Sequence, residues 1–495
     1  MLPDREGTGG PASVEPTQND IPPSDSDQNR GCNVVRWIPG NGEEESLLLK
    51  SLGLGSVEEL FRDIPEKARI RKIGLDPPMS EMQVVREVDR LLAKNRTLEE
   101  FDAFLGAGLY DRYTPAVVDG ILQRSEFYTS YTPYQAEASQ GVLQTLFEFQ
   151  SLWVELTDME VANASLYDGA TAIGEAMLMA RRLSSGHRFL VPSTLFWERR
   201  SVLENYAPRT DMEFVEIPAD PKTGRLDLGF IERESRRDCF GVLVEYPDSL
   251  GILQQDLPRV KGAVGERPLI VSADPLALTL LEPPGNWGAD IVVGEGQGFG
   301  VSSSFGGPLL GLIACRHRDA RMLPGRIVGA TTDGAGRRAF TLTLQAREQH
   351  IRRSRATSNI CTNQTLVSLA FLAYATAMGP KGLAQLASEL AARGQELARA
   401  LREVPGLKAP LVDAPFLWEF AVGVEGRGTD EFLRSMYGEG VLAGSSLADP
   451  RPGALPPRFP GYLTSVGERT DTAAIERYAR AARKVLGSAP AGGAP

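Results

Sequence analysis

The sequence predicts an α/β protein with a large domain built on a mostly parallel sheet, followed by a smaller α+β domain. Three observations predict this fold class. Six short apolar runs alternate with helical segments between residues 189 and 314. Such runs are typical of strands buried on both faces, as in parallel sheets covered by helices. From about residue 382 the pattern changes to long amphipathic helices with two strand-like runs, and 495 residues are enough for two cores.

Ahead of the predicted sheet, the apolar residues have helical spacing. Two short patterns contain Leu48 and Leu60, and a longer one runs from about Glu137 to Leu156. Thr97 and Glu100 have the spacing of a capping box before an apolar stretch, which predicts another helix. The six predicted strands are Phe189–Val191, Phe214–Ile217, Gly241–Tyr246, Leu269–Asp274, Ile291–Val293 and Leu310–Ala314.

The small domain follows the sheet. A long amphipathic helix begins near Gly382, strands are predicted near Trp418–Val422 and Tyr462–Val466, and a helix around Ile475–Val485 closes the chain. Composition then sets the boundaries. We predict a disordered extension over 1–32, a helical clasp over 33–75, the large domain over 76–380, the small domain over 381–486 and a disordered tail over 487–495.

Composition and charge exclude several classes of function. A net charge of −11 provides no overall attraction for nucleic acid or an anionic membrane. Three histidines without an HExxH pair and four scattered cysteines without a CxxC pair predict no metal site and no disulfide framework. The first residues lack the apolar run of a signal peptide, and no later stretch approaches membrane-spanning length. We therefore expect a cytoplasmic protein.

The glycine-rich segment Gly294–Gly300 does not predict nucleotide binding. Phe299 stands where GxGxxG needs its third glycine, and no GK[ST] follows, so a flexible loop after a strand is the better interpretation. Pyridoxal-phosphate enzymes place an acid at a strand end and a Schiff-base lysine a few strands later. Asp274 has the position of that acid, although capping the next helix explains it equally well. Gln297 occupies the lysine loop, and no lysine occurs between Lys261 and Lys381, which excludes covalent cofactor attachment there.

Three further segments are candidates for a binding role. Asp168 precedes a helical pattern, where an N-cap is favoured over an anion site. The cationic stretch with Arg352 and Arg353 is either a solvated face or an anion-binding or interface segment, and it ends near Asn359. A proline turn concentrates hydroxyl and amide side chains, which favours a site or interface role. The candidates in that turn are Tyr131, Thr132, Tyr134 and Gln135.

Several of these segments together resemble one known family. From about Val35 to about Pro380, the chain is similar to the glycine cleavage system P-protein family, in the part that forms its N-terminal half or a separate first subunit. The similarity is carried by Phe127–Gln135, Ser139–Gly141, Asn163–Thr171, Gly288–Gln297 and Ile351–Gln364.

The resemblance implies an aminotransferase-like subunit of fold type I that does not itself hold pyridoxal phosphate. A second subunit of the same fold would carry the cofactor on a lysine in register with Gln297. The complete enzyme would decarboxylate glycine and pass the aminomethyl group to the lipoyl arm of the H-protein. The family also implies an α2β2 tetramer. Our hypothesis for this chain is that Tyr131, Tyr134 and Gln135 shape the entrance to the substrate cavity.

Three departures from the family pattern leave alternatives open. Ser193, Phe196 and Asp248 stand where the family has other residues, including a histidine at 196 and an asparagine at 248. If these positions face the substrate, the chain is a specialised paralogue whose partner acts on another small amino acid or amine. A non-catalytic scaffold of the same fold is the other alternative. A self-sufficient cofactor enzyme is disfavoured because the lysine is missing.

Overall fold

The computed structural model describes residues 42–70, 74–129, 131–207, 210–452 and 458–487. The chain divides into two compact units, residues 1–92 and residues 93–495. The extension predicted over 1–32 lies outside the described residues, as does the predicted tail except for Gly487. The predicted domain boundaries otherwise stay predictions.

The helices and strands are numbered in chain order. The α-helices are α1 (Gly42–Ser51), α2 (Glu81–Leu92), α3 (Ala116–Leu122), α4 (Ser125–Tyr128), α5 (Gln140–Thr157), α6 (Gly169–Leu183), α7 (Trp197–Tyr206), α8 (Leu228–Ser235), α9 (Val260–Val264), α10 (Gln349–Arg352), α11 (Thr365–Arg402), α12 (Thr429–Gly438) and α13 (Thr472–Gly487). The strands are β1 (Asp102–Ala103), β2 (Val161–Ala162), β3 (Arg188–Pro192), β4 (Glu213–Ile217), β5 (Cys239–Tyr246), β6 (Leu269–Ala273), β7 (Ile291–Glu295), β8 (Gly311–Cys315), β9 (Ile327–Thr332), β10 (Arg338–Thr343), β11 (Leu407–Lys408), β12 (Glu419–Val424), β13 (Val441–Leu442), β14 (Ser445–Ser446) and β15 (Tyr462–Ser465).

The first unit consists of α1, α2 and short 3-10 turns in its described part. The two predicted helical patterns lie in α1 and in the 3-10 turn Val57–Phe61. Many of its large apolar side chains, including Leu47, Met82 and Val85, are exposed. Helix α2 buries none of its residues. Whether this unit clasps another surface stays a prediction.

The second unit is built on a seven-stranded sheet with the order β2-β8-β7-β6-β5-β3-β4. Strands β3 to β7 pair in parallel where they are neighbours, whereas β8 is antiparallel to both β7 and β2. All six predicted strands are present. The prediction of a mostly parallel sheet is confirmed.

Alternate residues of these strands enter two different cores, which explains their continuous apolar character. Val244 and Val271 face the core that contains α5 and α11. Leu243 and Ile270 face the opposite core, which contains much of α6. Successive strand side chains point to opposite faces, so a strand covered by helices on both sides has no polar face.

Helix α11 corrects the expectation that no apolar stretch approaches membrane-spanning length. By length and composition alone it is apolar enough to cross a membrane, and half of its most apolar window is buried in this unit. Its buried residues, among them Phe371 and Leu390, belong to the same hydrophobic core as Trp153. The helix is interrupted at Gly379, whose φ is 63°, and at Pro380. These contacts are those of a core helix.

The residues after α11 form a second, smaller sheet with the antiparallel order β11-β12-β15-β14. Helices α12 and α13 cover it, and Tyr462 and Tyr478 form a buried hydroxyl pair 2.8 Å apart. Both predicted strands and the closing helix are present, so this region is α+β as expected.

Two local features differ from the prediction. The hairpin formed by β9 and β10 was not predicted from the sequence. The side chain of Gln140 accepts a hydrogen bond from the Phe340 N–H in this hairpin and donates one to the Phe340 carbonyl. At the predicted capping box, Thr97 N–H donates to Glu100 at 3.1 Å, but no helix begins there in the described segment 74–129. Instead, Phe104 is fully buried in the core and β1 pairs with β13.

Candidate functional site

A cavity of about 270 Å³ lies where several parallel strands of the large sheet end. Ligands of α/β proteins commonly bind at this edge, because the loops that follow the strands converge there. Large-domain residues after β3, β5, β6 and β7 line the cavity, together with the first turn of α6 and Glu419 of β12. Among the lining residues are Tyr110, Asp168, Phe196, Arg199, Asp248, Asp274, Glu295 and Glu419.

The cavity is dominated by buried carboxyl groups. Burial raises the pKa of Asp248, Glu295 and Glu419 to about 7 in each case, and hydrogen bonds from the protein oppose that rise only partly. Arg199 pairs with the fully buried Glu245. Burial opposes the charge of Arg199, but Glu245 and Glu198 outweigh it and raise its pKa. The acidic groups therefore outnumber the cations among the described residues around this cavity.

The N-terminus of α6 is already occupied by carboxylates. Asp168 accepts a hydrogen bond from Thr171 N–H at 2.7 Å, and the Thr171 hydroxyl accepts from Asp168 N–H, so the two form a capping box. Glu295 accepts from the Gly169 N–H at 2.8 Å. A free helix N-terminus attracts anions, but here protein carboxylates already accept from the N–H groups of Gly169 and Thr171.

Asp274 and Gln297 both have local structural partners. Asp274 accepts hydrogen bonds from the N–H groups of Leu276 and Ala277, at 2.8 and 3.0 Å, while it also lines the cavity. Gln297 is completely buried. Its amide accepts from Tyr110 N–H and donates to the Val301 carbonyl at 2.5 Å. The amide therefore holds a loop together at the place where a lysine was considered.

Two of the three departures from the family pattern face this internal cavity. Asp248 accepts from the N–H groups of Leu250 and Ile252 and from the Gln254 amide, each at 2.9 Å. Phe196 is buried among apolar residues of a small cluster that includes Leu463. Both residues shape the interior of this chain.

A second group of polar residues surrounds Tyr134, which is 55% exposed. Its hydroxyl accepts a hydrogen bond from Arg326 at 3.0 Å, and Arg326 also donates to Asn363 at 3.1 Å. The ring of His350 lies 6.1 Å from the Tyr134 ring, edge to face. Arg326 was not anticipated from the sequence, because a single arginine before an apolar run has no distinguishing pattern.

The other candidates from the sequence lie near the surface. Tyr131 and Gln135 are exposed, and the Thr132 hydroxyl is buried without a partner among the described residues. These residues and Tyr134 are not among those lining the cavity, whereas Asp168 and Asp274 both are. In the exposed turn near residue 352, Arg352 donates to the Ala346 carbonyl and Asn359 accepts from Gln349, while Arg353 has a positive φ of 54°. The candidates therefore fall into an internal group and a surface group.

Comparison with known proteins shows the family. The sequence profile of the glycine cleavage system P-protein matches residues 35–441. The chain belongs to the glycine cleavage system P-protein family. This agrees with the resemblance carried by the tyrosine-rich turn and the other motifs.

P-protein relatives cover most of the chain. It is 44% identical over 418 residues to the probable glycine dehydrogenase (decarboxylating) subunit 1 of Carboxydothermus hydrogenoformans, covering 84% of this chain and 92% of that protein. It is 45% identical over 394 residues to the corresponding protein of Moorella thermoacetica, covering 78% and 86%.

Solved structures agree on the fold. A crystal structure of the P-protein glycine decarboxylase in inhibitor-bound form has a TM-score of 0.81 at 37% identity, covering 91% of this chain and all of that one. A sphingosine-1-phosphate lyase of Burkholderia pseudomallei has a TM-score of 0.60 at 13% identity, covering 85% of this chain and 93% of that one. This more distant likeness concerns the fold alone, which is that of fold-type I pyridoxal-phosphate enzymes.

The internal cavity does not fit pyridoxal phosphate, the cofactor that the P-protein family uses. The lysine position holds Gln297, and the helix N-terminus that would receive a phosphate faces Asp168 and Glu295. A phosphate placed there would meet these two carboxyl groups, which is electrostatically unfavourable. Within the described ranges, no three His, Cys, Asp or Glu side chains are arranged to hold a metal ion.

Proposed function

We propose that this chain is the subunit of a heteromeric glycine decarboxylase that does not carry the cofactor. The assembled enzyme decarboxylates glycine and transfers the aminomethyl group to the lipoyl arm of the H-protein. One observation carries the assignment to this half of the enzyme. A chain that matches the P-protein profile has a completely buried, hydrogen-bonded glutamine where a Schiff base would need a lysine.

The partner in this proposal is the second P-protein subunit, which carries pyridoxal phosphate. The cofactor supplies the electron sink for decarboxylation when it is bound there. Two such pairs form an α2β2 tetramer, and the lipoylated H-protein is the acceptor. We place this assembly in the cytoplasm.

This chain contributes a surface that completes the substrate cavity. The exposed Tyr131, Tyr134 and Gln135 project from one turn, so they are available to a bound partner. Arg352 and Arg353 follow His350, whose ring lies 6.1 Å from that of Tyr134, and they add positive charge, which suits an anionic substrate or a carboxylate on the partner. The residues of this chain bind and orient the substrate and exclude water from it. The groups that break bonds lie on the partner.

Glycine is the substrate in this proposal, because the relatives are named glycine dehydrogenase (decarboxylating) subunit 1. Phe196 and Asp248 line the internal cavity, and the polar atoms of Asp248 are engaged within the chain. Their departure from the family pattern therefore changes the interior of this subunit. It gives no reason to assign another amino acid.

The test is glycine–bicarbonate carboxyl exchange with the cofactor-bearing subunit and lipoylated H-protein, measured with and without this chain. Exchange that appears only with the chain supports the proposal. Full exchange without it indicates a scaffold and contradicts the proposal. A stable complex that exchanges another amino acid but not glycine indicates the specialised paralogue, which also contradicts it.

A further inference from the structure

The hydroxyl of Tyr134 has an unused hydrogen-bond donor. Its oxygen accepts a hydrogen bond from Arg326 at 3.0 Å. A guanidinium has no acceptor, so the single proton of the phenol cannot be directed at Arg326. In the part of the chain that the structure describes, no other hydrogen bond of this hydroxyl is found. Tyr134 is 55% exposed and its bond to Arg326 is only partly buried, so its proton is available to an acceptor from outside this chain.

Arg326 is fixed from several directions. The residue is 3% exposed, and one guanidinium nitrogen donates to Asn363 at 3.1 Å. Asn363 in turn donates to the Ala164 carbonyl at 2.9 Å and to the Ser165 hydroxyl at 3.1 Å. The Arg326 carbonyl accepts from Ala164 N–H at 2.7 Å. Both the backbone and the side chain of Arg326 are therefore anchored to one buried segment beside β2.

Glu348 balances the charge of Arg326, but it does not replace the hydrogen bonds that Arg326 donates to Tyr134 and Asn363. The Arg326 Nε lies 3.9 Å from a Glu348 oxygen, which is too long for a hydrogen bond. The guanidinium carbon lies 5.3 Å from the centre of the Tyr134 ring. A charged donor polarises the hydroxyl that accepts from it, which strengthens that hydroxyl as a donor to the next group.

We propose that Arg326 is a positioning residue that holds Tyr134 as a hydrogen-bond donor to a carboxylate oxygen of the assembled active site. This rests on the proposed function. The carboxylate has two possible sources, the glycine substrate or an acidic side chain of the partner subunit. Asn363 contributes to this positioning because it accepts from the other terminal nitrogen of the same guanidinium.

The experiment uses the complete reconstituted enzyme with glycine as substrate. The variants are Tyr134→Phe, Arg326→Met, Arg326→Lys and the double variant Tyr134→Phe with Arg326→Met. The measurements are KM and kcat for exchange and the Kd of the subunit complex. Tyr437→Phe is the matched control, because this tyrosine is also about half exposed at 48% and lies in α12. We expect the control to stay within about twofold of wild type in KM and Kd, since Tyr437 has no assigned role.

If glycine supplies the carboxylate, Tyr134→Phe raises KM roughly 10- to 100-fold with little change in Kd, as expected for one lost hydrogen bond to a charged group. If the partner supplies it, the same change falls on Kd instead. In either case Arg326→Met reproduces most of the loss, and Arg326→Lys, which keeps a charged donor but not the two-nitrogen fork, recovers part of it. When Tyr134→Phe is already present, Arg326→Met adds less than about twofold, because there is no hydroxyl left to position.

Additive effects would overturn the proposal, since Arg326 would then act independently of Tyr134. An unchanged KM and Kd for Tyr134→Phe would overturn it as well. If Arg326→Met does not fold, the comparison of Arg326→Lys with and without Tyr134→Phe gives the same test. Failure of the proposed function is a separate outcome, because the wild-type chain would then not restore glycine exchange at all.

Discussion

Among individual residues, the buried carboxyl groups of the cavity have the clearest physical consequence. Asp248 is enclosed by the turn that follows β5 and accepts three hydrogen bonds there. Burial raises its pKa from an ordinary 3.8 to about 7. The folded chain therefore binds a proton that the unfolded chain has already released between those two values. The stability that this proton provides is complete below the ordinary value and is lost as the pH rises through about 7.

Replacing Asp248 with asparagine removes this pH dependence. We expect the free energy of unfolding of Asp248→Asn, relative to wild type, to increase between about pH 5 and about pH 8, since the amide never ionises. A constant offset of about 1 kcal/mol against the variant is expected, because the new NH2 faces the Gln254 amide. Urea unfolding of both proteins at the two pH values measures the difference.

Asp220→Asn is the matched control for this prediction. Asp220 is exposed, and the Thr223 N–H holds its pKa below the ordinary value. Its effect on stability is therefore expected to be the same at both pH values, because the group is ionised throughout that range. A relative stability of Asp248→Asn that does not move with pH contradicts the burial argument.

Restoring a lysine at position 297 is expected not to restore cofactor attachment. The Gln297 side chain fills a closed space beside Tyr110 and Val301, and Glu295 occupies the N–H group at the start of α6. We expect Gln297→Lys mixed with pyridoxal phosphate, reduced with borohydride and dialysed to retain no more bound cofactor than wild type. Stable stoichiometric labelling of the introduced lysine would show that only this side chain was missing.

At the scale of elements, the turn after β5 joins the two sheets of the second unit. Gly251 has a φ of 82°, and a Cβ added there would lie 2.1 Å from the Glu419 carbonyl oxygen of β12. The turn after β5 therefore approaches strand β12 more closely than a side chain at position 251 would permit.

The capping-box sequence at Thr97 is a local helix signal that the fold does not follow. The hydrogen bond of the box is present, but Phe104 is buried and β1 pairs with β13, so no helix forms there.

Alanine at position 251 is expected to destabilise the protein by about 2–4 kcal/mol, from backbone strain and overlap with β12. Gly262→Ala is the matched control. Gly262 lies in α9, and an added Cβ there meets nothing within 4 Å. That change is expected to be neutral or to stabilise by about 0.5–1 kcal/mol, as for alanine in an exposed helix. Equal unfolding free energies for the two variants would contradict the contact between turn and strand.

At the scale of the whole molecule, aromatic side chains are exposed in loops of the second unit. Phe305 is 96% exposed in the loop after β7, and Tyr131 is exposed in the tyrosine-rich turn. Phenylalanine and tyrosine are enriched at surfaces that another chain covers. The relatives' designation as a subunit is consistent with such a covering partner.

Adding the cofactor-bearing subunit is expected to slow amide hydrogen exchange in residues 131–135 and 302–307. Burial against another chain protects these backbone amides from solvent. The polar turn around Lys222, which exposes no large apolar side chain, serves as the internal control and should exchange at an unchanged rate. Mass spectrometry of the chain alone and in complex gives both rates. Unchanged exchange in both segments, 131–135 and 302–307, would mean that the partner binds elsewhere.

The sequence by itself determined the fold class, the order of the strands along the chain and the absence of a Schiff-base lysine. Strands buried on both faces are continuously apolar, and lysine chemistry depends on one residue type, so both are readable from local sequence. The five segments that carry the resemblance, among them the tyrosine-rich turn and residues 163–171, also indicated the P-protein family.

Only the tertiary structure decided which polar residues act together. Asp248 and Glu419 are 171 positions apart in a chain whose strands bring both to one cavity, and Tyr134 meets Arg326 across 192 positions. No local pattern records such pairings, because they depend on how the loops at one edge of a sheet converge. Burial then sets the chemistry: the same carboxyl group has a different pKa when the fold removes it from water.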